Sequence, residues 1–259
     1  MVSNKKNGTE KSEEIFKNRY GEEIGSGQSA VVYAKDGIAA KVYRKGQPRK
    51  QVYQEAFTMA VVKDCGIPAP DIFGVETFCE QTALIMEKAE GISLWDLSLK
   101  FPDKTEEYMD SVVELQIAMH RMETTEFRPL KLVLTGTILA STGITDDEKK
   151  GILEILNSLP DAYSVCHGDF HSGNILFDGK KYQIIDWAEV SCGAPAADAC
   201  RSYMDYYIYD ENLAKMYLEK YSHASGLTKD EILAWLPVTA GSLYGYMSVD
   251  IRKKIRKFF

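Results

Sequence analysis

A carboxylate at Asp169, a carboxamide five residues on at Asn174 and a second carboxylate twelve residues beyond at Asp186 make the chemically richest stretch of this chain. They lie within His167-Gly168-Asp169-Phe170-His171-Ser172-Gly173-Asn174 and Ile184-Ile185-Asp186-Trp187. Phosphoryl transfer needs such parts. One carboxylate orients and deprotonates an attacking hydroxyl, while an amide oxygen and another carboxylate hold the magnesium ions that neutralise the phosphates. Either acid alone would read as a turn cap or the end of a strand; the ordered set carries the chemistry.

The intervening residues should position that set. Ile175-Leu176-Phe177 and Tyr182-Gln183-Ile184-Ile185 are β-prone runs around the turn signal Asp178-Gly179-Lys180-Lys181. A hairpin brings its ends together, so Asn174 and Asp186 are expected side by side.

The segment resembles the aminoglycoside phosphotransferase and choline kinase-like family, whose motifs run His-Gly-Asp-x-His-x-Gly-Asn and Ile-Asp-Trp or Ile-Asp-Phe. The resemblance implies the bilobal protein-kinase-like fold, with Asp169 as catalytic base and Asn174 and Asp186 as magnesium ligands. It gives His167 the task of holding the loop backbone and places His171 near the same site. Ser172 stands where the family often has proline.

Such a fold requires a nucleotide-binding lobe upstream. Ile24-Gly25-Ser26-Gly27-Gln28-Ser29-Ala30-Val31-Val32-Tyr33 reads as strand, glycine turn, strand. Without a Cβ, Gly25 and Gly27 would let backbone N–H groups near Ser26 approach phosphate oxygens. The third small position of the motif is Ala30, not glycine. Ile38-Ala39-Ala40-Lys41-Val42-Tyr43 is an apolar strand with one embedded lysine, and lysine is seldom buried unpaired. Lys41 falls where a kinase phosphate-binding lysine belongs. Arg49 to Lys63 reads as a helix on which Glu55 shares a face with Val52 and Met59, so Glu55 is the expected ion-pair partner of Lys41.

Two strand-like runs follow, Ile72 to Phe78 and Thr82 to Met86, and then Met86-Glu87-Lys88-Ala89-Glu90-Gly91 loses apolar character. By the resemblance this is the hinge, where Glu87 and Ala89 would meet adenine through backbone groups. Thr105 to Glu123 reads as an amphipathic helix, with His120 near the core. Thr145 to Leu156 reads as another, with Thr145 and Glu148 in a capping box. Gly193-Ala194-Pro195-Ala196-Ala197-Asp198 is similar to the family's Gly-Asp-Pro-x-x-Asp, with Ala194 for the first aspartate, and implies that Asp198 braces the catalytic loop. Residues 202–210 combine four tyrosines with Asp205 and Asp210. Aromatic faces with carboxylates suit cations, so Asp205, Tyr206 and Asp210 are candidate contacts for a cationic substrate. Arg252 to Phe259 reads as a final helix whose cations favour the negative end of its dipole.

The chain has 259 residues, 45% of them hydrophobic, enough for two lobes. A formal net charge of −7 argues against nucleic acid as a partner. Met1 to Glu14 has no apolar signal segment and no run is long enough to span a bilayer, so no membrane is expected. Five cysteines without CxxC spacing fit reduced thiols in a cytoplasm.

The expectation is an α+β, protein-kinase-like fold. Residues 15–90 would be a small antiparallel-sheet lobe that binds nucleotide, and residues 91–259 a larger helical lobe with the catalytic and substrate-binding groups. The donor is expected to be ATP with Mg2+, GTP being the alternative nucleotide, and the partner a small-molecule hydroxyl substrate. A choline, methylthioribose or homoserine kinase shares every motif above. A nucleotide-binding regulator or protein-directed kinase is the alternative of another class. The intact Lys41, Asp169, Asn174 and Asp186 set weighs against a regulator, and the absence of Asp-Phe-Gly and Ala-Pro-Glu weighs against an ordinary protein kinase.

Overall fold

The computed structural model describes residues 14–27 and 29–259. The polar N-terminal stretch, all but Glu14, and Gln28 of the glycine turn lie outside them. The chain divides into two compact units, one running to Gly91 and including Leu176–Ala188, the other comprising Ile92–Ile175 and Glu189–Phe259.

In the first unit, residues 14–20 are helical (α1) and five strands form one antiparallel sheet. They are β1 (Glu22–Ser26), β2 (Ala30–Lys35), β3 (Ile38–Tyr43), β4 (Ile72–Phe78) and β5 (Gln81–Glu87), in the order β1-β2-β3-β5-β4. All five strand readings are present at nearly the expected bounds. Alternation along β2 and β3 turns Tyr33, Ala40 and Val42 inward, and these close a small core with Phe16, Tyr20 and Ala83. Helix α2 (Arg49–Asp64) buries Val52, Glu55, Met59 and Val62, a stripe at helical spacing that contains one carboxylate.

Downstream come β6 (Ile92–Ser93), α3 (Leu94–Lys100), α4 (Thr105–His120), α5 (Leu130–Ala140) and α6 (Asp146–Ser158). Helix α4 stops short of Glu123 because that residue leaves the helix to bridge Ser164. The capping box of α6 is present: Thr145 Oγ1 accepts from Glu148 N, and the Glu148 carboxylate accepts from Thr145 N. Strand β7 (Ser164–Cys166) leads into the His167–Asn174 motif. The hairpin β8 (Ile175–Phe177) and β9 (Tyr182–Ile184) then forms as read, its turn held by Asp178 Oδ1 accepting from the N–H groups of Lys180 (2.8 Å) and Lys181 (2.9 Å).

In the second unit β10 (Ser191–Gly193) pairs antiparallel with β7. There follow α7 (Pro195–Tyr209), α8 (Glu211–Ser225), α9 (Lys229–Leu233), α10 (Leu236–Tyr244) and α11 (Val249–Ile255). Helix α7 starts on Pro195 with Ala194 as an N-cap that offers no side-chain bond. The departure at Ala194 therefore removes a cap, and proline at the first turn supplies the preset φ instead. No helix of the described residues is long and apolar enough to cross a membrane.

Candidate active site

Each unit presents one cluster of the residues singled out by sequence. In the first, Lys41 sits on β3 with its Nζ 2.7 Å from Glu55 Oε1 and 3.0 Å from Asp186 Oδ1. The Lys41 side chain is 13% exposed. Burial works to discharge the ammonium, but Glu55 and then Asp186 more than offset it, so its pKa is raised and the charge retained. The second Glu55 oxygen accepts from Tyr43 OH, which fixes the carboxylate from both sides. Asp186 has φ of 64°, a left-handed conformation that non-glycine residues adopt at a cost. Its carboxylate remains 48% exposed, unlike that of Glu55.

The glycine turn is less open than its sequence suggests. Gly27 N–H donates to Ala30 O at 2.9 Å, which closes the turn and occupies that donor. Gly25 has open space where a Cβ would stand. Arg44, which sequence reading passed over, donates to Ser26 Oγ and Gly27 O, both at 3.0 Å, and so brings a cation to the loop. At the hinge, Glu87 N–H donates to Asp71 O (2.8 Å) and Lys88 N–H to Gly37 O (2.9 Å). The Glu87 carboxylate is also engaged, accepting from Gln183 Nε2 at 3.2 Å. Ala89 N–H has no partner among the described residues. Gly91 has φ of 115° and lies where a Cβ would overlap the Phe177 carbonyl, so only glycine fits.

In the second unit the loop after β7 is held by its own backbone. Gly168 N–H donates to Asp198 Oδ1 at 2.7 Å, Asp169 N–H to His167 Nδ1 at 3.2 Å, and Gly173 N–H to His171 Nδ1 at 3.0 Å. Asp198 is fully buried. Its other oxygen takes His120 Nε2 (2.9 Å) and Gln116 Nε2 (3.1 Å), while Tyr221 and Tyr217 bind the far sides of that His and Gln. Burial pushes the Asp198 pKa up, but the bond to His120 leads a set of interactions that brings it below the ordinary carboxylate value.

Asp169 Oδ1 accepts from Arg201 Nη2 at 2.7 Å; its Oδ2 faces Asn174 Nδ2 at 3.3 Å and His171 Nε2 at 3.7 Å. Burial acts to raise its pKa, but the His171 bond and the Arg201 charge hold it well below the usual carboxylate range. Asn174 Nδ2 also donates to Asp169 O at 2.9 Å. With its nitrogen committed to Asp169, the amide has its oxygen left to offer. A hard divalent cation requires oxygen donors, and the Asn174 amide oxygen and the half-exposed Asp186 carboxylate are donors of that kind.

A cavity of about 110 Å³ is lined by Trp95, His171, Ser172, Gly173, Asp205, Tyr206 and Tyr209. Trp95 and Tyr209 stand 5.4 Å apart by ring centroids. Asp205 is 13% exposed; one oxygen binds Arg201 Nη1 and the other is buried without a hydrogen-bond partner among the described residues. Tyr206 lines the same cavity, with its OH accepting Ser172 N–H at 3.0 Å, and burial pushes its phenol up to about 12. Asp210 is not among the residues lining this cavity; its Oδ1 caps α8, accepting Asn212 N–H at 2.7 Å. Asp directly before a new helix is an N-cap signal that could have been read. Trp95 and Arg201 carried no such signal, except that Arg201 precedes Asp205 by one helical turn.

Residues 21–235 match the phosphotransferase enzyme family (APH). Among solved structures, a thermostable mutant of aminoglycoside phosphotransferase APH(4)-Ia, in ternary complex with ADP and hygromycin B, superposes with a TM-score of 0.71 at 14% identity, covering 95% of this chain and 97% of that one. Aminoglycoside-3'-phosphotransferase of type VIII gives 0.64 at 15% identity, covering 90% and 98%. A choline/ethanolamine kinase family protein from Mesorhizobium loti gives 0.61 at 14% identity, covering 92% and 85%. At these identities the likeness is one of fold: an antiparallel sheet followed by a helical region. No curated protein matches the chain by sequence.

Proposed function

Since this chain belongs to the phosphotransferase enzyme family and is an ATP-dependent kinase of alcohol groups, we propose that it phosphorylates a hydroxyl of a small organic cation. The observation that carries the acceptor class is the buried, unpartnered Asp205 oxygen at a cavity walled by Trp95, Tyr206 and Tyr209. A buried carboxylate oxygen without a donor is costly, and an ammonium group among aromatic faces would satisfy it. One carboxylate in about 110 Å³ matches one ammonium head, whether from a choline-like alcohol or from one ring of an aminoglycoside.

In the proposed mechanism, Asp169 orients the acceptor hydroxyl and takes its proton as the oxygen attacks the γ-phosphorus of ATP in line. The bond from that phosphorus to the bridging oxygen breaks, and ADP leaves. Glu55 aims Lys41 at the α- and β-phosphates, the glycine turn at Gly25–Ser26–Gly27 covers them, and the hinge at Glu87 and Ala89 receives the base. Asn174 and Asp186 would hold Mg2+, which when bound offsets phosphate charge. Residues 15–90 take the nucleotide-binding role and residues 91–259 the catalytic and acceptor-binding one. All five cysteines are free thiols, which suits a cytoplasmic enzyme.

The test is ADP release from Mg·ATP with hygromycin B, choline, ethanolamine, methylthioribose and homoserine, beside Asp169→Asn. Turnover confined to the cationic acceptors and lost in the variant supports the reading. Turnover with methylthioribose alone would move the assignment to a neutral metabolite kinase. Mg·ATP binding with no turnover on any acceptor would point to a regulator.

A further inference from the structure

The geometry points to Arg201 as a positioning residue that links the acceptor cation's seat to the base carboxylate, an inference that rests on the function proposed above. Arg201 and Asp205 lie one turn apart on α7 and therefore share a face. The guanidinium spends its two terminal nitrogens on different acids: Nη2 lies 2.7 Å from Asp169 Oδ1, and Nη1 binds Asp205 Oδ1. With only 19% of its side chain exposed, this bridge is largely sheltered from competing water.

Each carboxylate is left with one oxygen for the reaction. Asp169 keeps Oδ2, near Asn174 and His171; Asp205, which lines the cavity with Trp95, Tyr206 and Tyr209, keeps a buried Oδ2 without a partner among the described residues. Because the guanidinium is planar and its donors are fixed, it sets the spacing and tilt of the two acids together. An acceptor whose ammonium rests on Asp205 then meets a base carboxylate whose rotamer is already chosen. A lysine ammonium carries equal charge but no fork, and cannot set both orientations at once. A purely structural Arg201 would neutralise two acids without affecting turnover of the folded enzyme.

The experiment compares Arg201→Ala, Arg201→Lys, Asp205→Asn and the Arg201→Ala/Asp205→Asn pair with wild type and Asp169→Asn, in the full chain. ADP release is measured at saturating Mg·ATP with choline, ethanolamine or hygromycin B, whichever turns over in wild type, or with water where none does. Arg201→Ala should lower kcat roughly 10- to 100-fold, as expected for a misplaced catalytic group, with KM for ATP unchanged. Arg201→Lys should remain low, millimolar guanidinium should partly restore Arg201→Ala, and adding Asp205→Asn should lower kcat no further. Wild-type kcat in Arg201→Ala, full recovery in Arg201→Lys, or losses that multiply in the double variant would each overturn the inference. If Arg201→Ala fails to fold by circular dichroism, the rate of folded Arg201→Lys decides alone. A wild-type chain no faster than Asp169→Asn would instead bring down the functional reading, and this inference with it.

Discussion

Asp198, on helix α7, holds the backbone of Gly168 through a 2.7 Å bond to its N–H, across thirty residues of sequence. Asp169, the next residue, thus takes its place from a buried carboxylate. Asp198→Ala would strand the Gly168 N–H, His120 and Gln116 donors together. A loss of about 3 kcal/mol is expected, since breaking a buried network leaves polar groups unpaired. Urea unfolding at pH 7 measures it.

The same residue gives a pH dependence with a definite sign. Its folded pKa lies below the ordinary carboxylate value. Its stabilisation is therefore fully present above the unfolded pKa of about 3.9 and is lost as pH falls through the folded value. The stability advantage of wild type over Asp198→Asn should be flat from pH 7 to 5 and shrink below about pH 4. Urea midpoints of the two proteins at pH 7, 5 and 3.5 follow it; an advantage that grew towards acid would contradict the assignment.

Glu55 has two neighbours and one task. Its carboxylate binds Lys41 at 2.7 Å and is fixed by Tyr43 OH. Glu55→Gln keeps the shape and drops the charge, so Lys41 loses its principal restraint. We expect kcat/KM for ATP to fall by roughly 10²-fold, the usual scale for losing one aligned electrostatic group, with the circular dichroism spectrum unchanged. Initial rates against ATP concentration test this.

Trp95 should matter to the acceptor and not to the nucleotide. Removing one aromatic face from a sheltered cation costs roughly 1–2 kcal/mol. Trp95→Ala is therefore expected to raise KM for a cationic acceptor roughly 5- to 30-fold, with KM for ATP unmoved. A raised KM for both substrates would remove Trp95 from the acceptor cavity's function.

Thiol reactivity should split along burial. Cys79 is exposed, whereas Cys166, Cys192 and Cys200 are buried and burial raises the pKa of each, that of Cys200 to about 12. Thiolate is the reactive form, so the native chain should react quickly with Ellman's reagent at Cys79, and those three only on unfolding. Mass mapping of the modified cysteines decides it.

Chemistry written in consecutive residues was legible before the structure. The loop His167–Asn174 and the lysine embedded in β3 could be read because residue type and spacing alone define them. The Lys41–Glu55 pair was reachable because one helix face admits one carboxylate among Val52, Met59 and Val62. Arg201 was not, since its meaning comes from Asp169, 32 residues away, and only the fold joins them. Trp95 was passed over, since only the fold brings it to Tyr209. Asp210 drew notice through its company of tyrosines, while its place before Glu211 also marked a helix start.

The left-handed backbone at Asp186 sets the thermodynamic demands of the molecule against its chemical ones. Alanine and glycine there would both abolish the carboxylate, yet glycine accepts φ of 64° and alanine does not. Asp186→Gly and Asp186→Ala should be equally inactive, with the glycine protein more stable by about 1 kcal/mol, a difference that paired thermal melts would resolve. A lineage released from catalysis would have nothing to hold aspartate at this position and a standing incentive to exchange it. Glycine where Asp186 now stands would be the residue by which a retired copy of this enzyme could be told from a working one.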